Sequence, residues 1–377
     1  MRIGKSQRAF AKQTNPSRNP SPKPSLRPAP PTPSTHFAFF PQVKETRVVT
    51  ASTSAAGAAE VDTTDEEDNT REEAEIDDSE ILADVPDDID EISLIHSRLN
   101  TVSALGLPRF KQLKKLCLRQ NFISSLDRKD FEELTELEEL DFYDNKLKAI
   151  GDALDKCEKL TVLDLSFNLI RHIPENLSHF PHLDTLYFVQ NKITHITNLQ
   201  DVSKKLRSLE LGGNRIRKIE GLDALENLEE LWLGKNKISK LEGLQNLKKL
   251  KILSIQSNRI TKLEGLEGLE NLEELLLSHN GIEKIEGLEN NKKLRVLDLG
   301  ANFVKELENV SHLENLEDLW INNNQIQTLS ALDTQLSHLP SLETLYLEGN
   351  PVQAKEGAHY RRKVILALPR LKQLDAT

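Results

Sequence analysis

Residues 228–250 read LEELWLGKNKISKLEGLQNLKKL, and this stretch contains the fold in miniature. Leu231 and Leu233 flank Trp232 with the period of two that sends neighbouring side chains to opposite faces of a strand. Both leucines face inward and Trp232 outward. Asn236 turns the chain out of the strand, and its amide can satisfy loop backbone groups that would each cost about 1–3 kcal/mol if buried unpaired. Beyond it Ile238, Leu241, Leu244 and Leu247 recur every three residues, the spacing at which side chains eclipse in 3₁₀ geometry. One such unit cannot cover its own leucines, so it must stack on another.

The chain supplies the others. The frame Leu-x-x-Leu-x-Leu-x-x-Asn recurs at Asn121, Asn145, Asn168, Asn191, Asn214, Asn236, Asn258, Asn280, Asn302, Asn324 and Asn350, with anchors 22 to 26 residues apart. That is the period of leucine-rich repeats. A degenerate unit with Ile89, Ile92 and Leu94 on its apolar positions and Ser97 in place of Asn predicts an N-terminal cap. At the other end Tyr360 to Pro369 (YRRKVILALP) predicts a short amphipathic helix with Tyr360, Val364 and Leu368 on one face, after which Leu371 and Leu374 seal the last repeat. The predicted fold class is an α/β repeat: a leucine-rich-repeat solenoid (horseshoe) with a parallel concave sheet, a 3₁₀/short-helix convex side and a C-terminal capping helix. Residues 81–350 form the solenoid of about 12 repeats, 351–377 the C-terminal cap and 1–80 a disordered tail. Within that tail, residues 1–44 carry Lys and Arg but no Asp or Glu and are crowded with Pro, Ser and Thr, too little apolar surface to fold. The same composition fits an organelle transit peptide, with RVVTASTSA (residues 47–55) as its processing region, although an unstructured tail is the plainer reading. From Glu60 to Glu91 the sign reverses, and like charges extend the segment as an acidic arm.

The net charge of -11 argues against a nucleic-acid partner and for a basic protein surface. Two cysteines, Cys117 and Cys157, suit neither a disulfide framework nor a zinc site, which points to a reducing compartment. With no apolar run near the roughly 18 residues of a membrane span and no secretory core, the chain reads as soluble, nuclear and cytoplasmic, or plastidic if the leader is a transit peptide. A catalytic role finds no support, because the P-loop, the dinucleotide glycine fingerprint, HExxH and GxSxG are all missing. The chain is expected to be no enzyme and to need no cofactor. His172, His179, His182 and His195 lack ligand spacing, the glycines of Glu242-Gly243-Leu244 and its in-phase copies are turn residues, and the sequons at Asn176 and Asn309 would go unused inside a cell.

Function is to be sought at the one position per repeat that varies between the two inner leucines and points out of the concave sheet. In order these are Ser93, Cys117, Asp141, Asp164, Tyr187, Glu210, Trp232, Ser254, Leu276, Asp298, Trp320 and Tyr346. Of the chain's two Trp and four Tyr, four fall here, which scatter would rarely achieve. Aromatics on a rigid sheet suit interface hot spots, and Asp164, Glu210 and Asp298, with Asp318 beside Trp320, suit a Lys/Arg-bearing partner. Stacking of the aromatics on each other across repeats is the structural alternative. Lys192, Arg215, Lys237 and Arg259, which follow the asparagines, read as a solvated flank because Glu and Asp lie near them in the sequence.

The phrases LCLRQN (116–121), LSHNGIE (277–283), GLENN (287–291) and YRRKVILALP (360–369), set in a 22-residue repeat over about residues 89–377, resemble the leucine-rich regulatory subunits of protein phosphatase 1. The resemblance implies a concave face that holds the phosphatase catalytic subunit away from its catalytic centre and controls its maturation, location or specificity, with a third, inhibitor subunit able to join. It implies contact residues at Asp164, Tyr187, Glu210, Trp232, Asp298, Asp318, Trp320 and Tyr346, with Tyr187 and Trp232 where the family often has Phe. A chain of this kind is expected to be a monomer by itself, with no direct nucleic-acid or membrane partner. The basic leader departs from the family pattern, and Arg47-Val48-Val49-Thr50 lacks the final Phe of the short docking motif of many phosphatase regulators. A spliceosomal leucine-rich adaptor presenting an RNA-binding protein is the alternative, since its repeats and cap are similar.

Overall fold

The computed structural model describes residues 49–50, 78–202 and 204–376. The expected basic leader, transit peptide and most of the acidic arm lie outside these residues. Fourteen short strands form one parallel sheet in strict chain order. Its body is twelve three-residue strands: β2 (Glu91–Ser93), β3 (Lys115–Cys117), β4 (Glu139–Asp141), β5 (Val162–Asp164), β6 (Thr185–Tyr187), β7 (Ser208–Glu210), β8 (Glu230–Trp232), β9 (Ile252–Ser254), β10 (Glu274–Leu276), β11 (Val296–Asp298), β12 (Asp318–Trp320) and β13 (Thr344–Tyr346). Two-residue strands close the ends, β1 (Val49–Thr50) beside β2 and β14 (Gln373–Leu374) beside β13. β1 is a departure from a wholly unstructured leader: it pairs with β2, whose backbone groups would otherwise form a bare sheet edge.

The inner leucines build one continuous core. In the repeat quoted above Leu231, Leu233, Ile238, Leu241, Leu244 and Leu247 are all buried, as are most of their counterparts along the stack, with Leu126 and Leu329 partly so. Each ladder asparagine does more than turn the chain. Asn236 donates through Nδ2 to the carbonyls of Leu211, Leu233 and Gly234 at 2.9, 3.1 and 3.3 Å, and its Oδ1 accepts from the backbone N–H of Ile216 at 3.0 Å. The side chain therefore ties its own loop to the preceding repeat. The same pattern runs from Asn121 to Asn324. It also holds the residue before each asparagine in the left-handed region, including non-glycines such as Phe167, Lys235 and His279, a conformation that costs an ordinary residue about 1–2 kcal/mol.

Repeat length decides what forms on the convex side. Where the asparagines are 22 apart, single i→i+3 bonds such as Leu247 N–H to Leu244 O at 3.0 Å suffice. The 23- to 26-residue repeats have room for real turns of helix: α1 (Arg128–Phe131), the 3₁₀ turn Leu177–His179 and α2 (Leu332–Gln335). Gly221, Gly243, Gly265 and Gly287 have φ near +70°, and a Cβ on Gly243 would lie 2.6 Å from the carbonyl oxygen of Ile219 in the preceding repeat. Asn198 and Asn309 take the same left-handed conformation, each donating its amide at 2.7 Å to a carbonyl of the repeat before it, Ile173 O and Ile285 O.

The C-terminal end is closed by α3 (Pro351–Glu356) and α4 (Tyr360–Ala367). Tyr360, Val364, Leu368 and Leu374 are buried. Asp375 takes the place of the ladder asparagine: its Oδ1 accepts from Leu347 N–H at 2.9 Å and Glu348 N–H at 3.0 Å, and the Tyr360 hydroxyl donates to it at 3.3 Å. At the other end Leu82 and Val85 join the core, so the closure reaches beyond the degenerate unit at Ile89.

Candidate functional site

The sheet register brings the variable positions into one line. Asp164 pairs with Tyr187, Tyr187 with Glu210, Glu210 with Trp232, and the row continues through Ser254, Leu276, Asp298 and Trp320 to Tyr346. Adjacent strands are about 4.8 Å apart, so these side chains are neighbours in space despite lying 22 to 26 residues apart in the chain. Asp318 stands on β12 in the parallel row that includes Val296 and Thr344.

Outward position is not full exposure. Asp141, Asp164, Ser254, Leu276, Asp298 and Tyr346 are buried, and Tyr187, Glu210, Trp232 and Trp320 are half-buried. A local bond accounts for the burial of the aspartates. Asp141, Asp164 and Asp298 each accept, through Oδ1, the backbone N–H two residues on, from Tyr143, Ser166 and Gly300 at 2.8, 2.8 and 2.9 Å. These aspartates help the strand turn outward. Glu210 makes no such bond. Burial, together with the Asp164 and Glu230 carboxylates, pushes it up to about 7. Burial likewise raises Asp164 and Asp298 above the ordinary carboxylate range. Tyr187 is raised to about 12 by burial and the flanking Glu210 and Asp164.

The aromatics divide in the same way. Trp320 and Tyr346 stack with centroids 6.0 Å apart and planes 18° off parallel, so cross-repeat packing does occur there. Yet the Trp320 indole Nε1 is buried and has no hydrogen-bond partner among the described residues, an arrangement that a buried polar group tolerates poorly. Trp232 directs its indole N–H at Glu230 Oε2, 3.4 Å away.

A second cluster was not singled out in the sequence. The Arg119 guanidinium lies 4.2 Å over the Tyr143 ring and bonds Asp141 at 3.2 Å, and Tyr143 packs on Phe167 with centroids 4.7 Å apart. Its signal is Arg119 and Tyr143 directly after the second inner apolar residue of their strands, with Phe167 one position further on in the next repeat, visible only once the repeats are aligned. Cys117, next to Asp141, is pushed up to about 11 by burial and that carboxylate. The four histidines are not gathered: His179 pairs with Asp155 at 2.9 Å, His182 with Lys205 at 2.7 Å and His195 with Thr194 at 3.0 Å. Among the described residues no three metal-ligand side chains converge, and no helix is long and apolar enough to cross a membrane.

A parallel sheet of in-register leucine turns, tied by a ladder of asparagines, defines a leucine-rich-repeat protein. Sequence models of leucine-rich repeats match residues 111–170, 158–216, 204–246, 226–268 and 269–377, and the chain belongs to that family. Solved structures agree at the level of fold. A leucine-rich-repeat protein of Leptospira interrogans superposes with a TM-score of 0.60 at 25% identity over 76% of this chain and 83% of that one. An internalin of Listeria monocytogenes gives 0.59 at 23% over 79% and 88%.

Within the family the chain is similar to protein phosphatase 1 regulatory subunit SDS22. It is 51% identical to the Saccharomyces cerevisiae protein over 102 residues, 26% of this chain and 30% of that protein. It is 49% identical to the Schizosaccharomyces pombe protein over 83 residues, 22% and 24%. These matches span less than a third of either relative's length. They agree with the resemblance carried by the phrases at 116–121, 277–283, 287–291 and 360–369.

Proposed function

We propose that this chain is a non-catalytic regulatory subunit that holds the protein phosphatase 1 catalytic subunit on its concave face and controls its maturation, location or specificity. The observation that carries the reading is the half-identity, over 102 and 83 residues, to two phosphatase regulatory subunits. The concave row supports it physically. Asp164, Tyr187, Glu210, Trp232, Asp298, Trp320 and Tyr346 lie in one register-aligned line, with Asp318 beside it. A rigid sheet presents these groups with little entropy left to lose. The Trp320 N–H lacks an acceptor that a partner carbonyl or carboxylate would supply. A basic partner surface would draw the half-buried Glu210 into its charged form. A third, inhibitor subunit would bind the assembled pair, and the assembly would work in nucleus and cytoplasm.

The test is calorimetric titration of the purified chain with the purified catalytic subunit. Saturable binding of the parent, with Trp320→Ala and Glu210→Ala each weakening it by at least the hot-spot threshold of about 2 kcal/mol, is the expected result. Binding unchanged within about 0.5 kcal/mol in both variants would remove the row from the site, and no binding by the parent would remove the phosphatase.

A further inference from the structure

Every side chain of the concave row lies on one face, but the asparagine loops form an edge of their own with the opposite charge. In the four consecutive repeats anchored by Asn191, Asn214, Asn236 and Asn258, the residues one before, one after and three after the asparagine occupy twelve positions. Six of these are Lys192, Arg215, Arg217, Lys235, Lys237 and Arg259, and none is acidic, although the chain has 60 Asp and Glu against 49 Lys and Arg. The solvated-flank reading rested on acids near these cations in the sequence. The structure separates the two groups. The glutamates pair with the lysines four residues past the asparagine instead: Lys218 with Glu220 at 3.6 Å, Lys240 with Glu242 at 3.8 Å and Lys262 with Glu264 at 3.9 Å. None of the six edge cations enters an ion pair or a side-chain hydrogen bond among the described residues. Arg215, Arg217, Lys235 and Arg259 are exposed, and Lys192 and Lys237 are half-buried.

Unpaired cations repeated at the strand spacing of about 4.8 Å form a comb about 15 Å long. An extended acidic segment, whose same-side carboxylates recur every ~6.6 Å at ~3.3 Å per residue, can cross it with several charges engaged. A single-stranded nucleic acid would want aromatic platforms between the cations, and the twelve positions contain none. We infer that this edge is a docking site for an acidic, extended peptide segment of a protein partner, separate from the concave row.

The experiment uses the full chain, fluorescence anisotropy and a labelled ten-residue peptide alternating Glu with Ser, beside its Gln counterpart and a uridine decanucleotide, from 50 to 200 mM salt. The Glu peptide should bind, the Gln peptide should not, and affinity should fall as salt rises. R215E/K237E/R259E should weaken binding at least tenfold, whereas K218E/K240E/K262E should weaken it less than threefold. Circular dichroism melting of both triple variants establishes that they fold; R215Q/K237Q/R259Q serves if charge reversal melts the chain. Absent binding of the Glu peptide, equal loss in both triple variants, or tighter binding of the oligonucleotide would each overturn the inference. Phosphatase binding is expected to survive R215E/K237E/R259E, which separates this site from the concave one.

Discussion

The asparagine ladder and the concave row run side by side through the same repeats and behave oppositely. On the ladder one residue type makes the same set of bonds from Asn121 to Asn324: in each set an Nδ2 bond and an Oδ1 bond join the loop to the repeat before it, and further Nδ2 bonds close the loop on itself. On the row the residue changes at almost every step, Asp141 and Asp164 excepted, and its neighbours decide what it does. Asp164 and Asp298 fold back onto their own backbone, Trp320 leans on Tyr346, and Glu210 sits between Tyr187 and Trp232 with no bond of its own. Uniformity is the mark of a structural part, because stacking works only if every unit offers its neighbour the same surface.

The sharpest way to break this contrast is to remove one ladder asparagine. Asn236→Ala orphans the Ile216 N–H and removes one of the two donors on each of the Leu211, Leu233 and Gly234 carbonyls, which keep Asn214 Nδ2, Asn258 Nδ2 and Gly213 N–H; at about 1–3 kcal/mol for the orphaned group, we expect about 2–3 kcal/mol lost in urea unfolding. A loss below 1 kcal/mol would show that the loops hold themselves. Trp320→Ala should do the reverse, weakening phosphatase binding by about 2 kcal/mol or more while lowering stability by less, since the ring is only half-buried. If calorimetry finds stability to be the larger loss, the ring is a structural part like the asparagines. Gly243→Ala probes the convex counterpart of the ladder. A left-handed φ and a Cβ 2.6 Å from Ile219 O should cost about 2 kcal/mol of stability, measured by thermal melting, with phosphatase affinity unchanged.

The smallest effect concerns pH. Glu210 is raised from its ordinary 4.5 to about 7, so the folded state prefers its protonated form. The carboxylate is neutral in fold and unfolded chain alike at low pH. Its destabilising contribution enters as pH rises from about 4.5 and is complete above about 7. Glu210→Gln should therefore raise the melting temperature slightly at pH 8 and leave it unchanged at pH 4. A shift of equal size at both pH values would mean the gain is unrelated to charge. The same variant should lose phosphatase affinity, the exchange of function for stability expected of a strained binding residue.

The repeats were legible from the spacing of leucine and asparagine alone, because a period is a property of the chain and needs no coordinates. The row positions were legible for the same reason, since side chains alternate along any strand. Their surroundings were not. Whether Asp164 meets solvent or the backbone two residues on depends on how the strand turns, and whether Trp320 leans on a neighbouring ring depends on Tyr346, 26 positions away and one strand over. At GLENN the second asparagine, Asn291, sits wholly buried at a position where other repeats have leucine, its amide bonded to the carbonyls of Leu266 and Leu269 at 3.1 and 2.9 Å. Such a substitution reads as a solvent-facing side chain until the preceding repeat is in place.

The sequence by itself determined the unit, its number and its direction, since a leucine pattern that cannot bury itself leaves stacking as the only outcome. Tertiary structure alone decided which of the outward-facing charges are spent inside the molecule and which remain for a partner. That division depends on the angle and distance between successive turns, and these are set by the parallel strand pairing and by side-chain amide bonds from each asparagine to the backbone of the repeat before it.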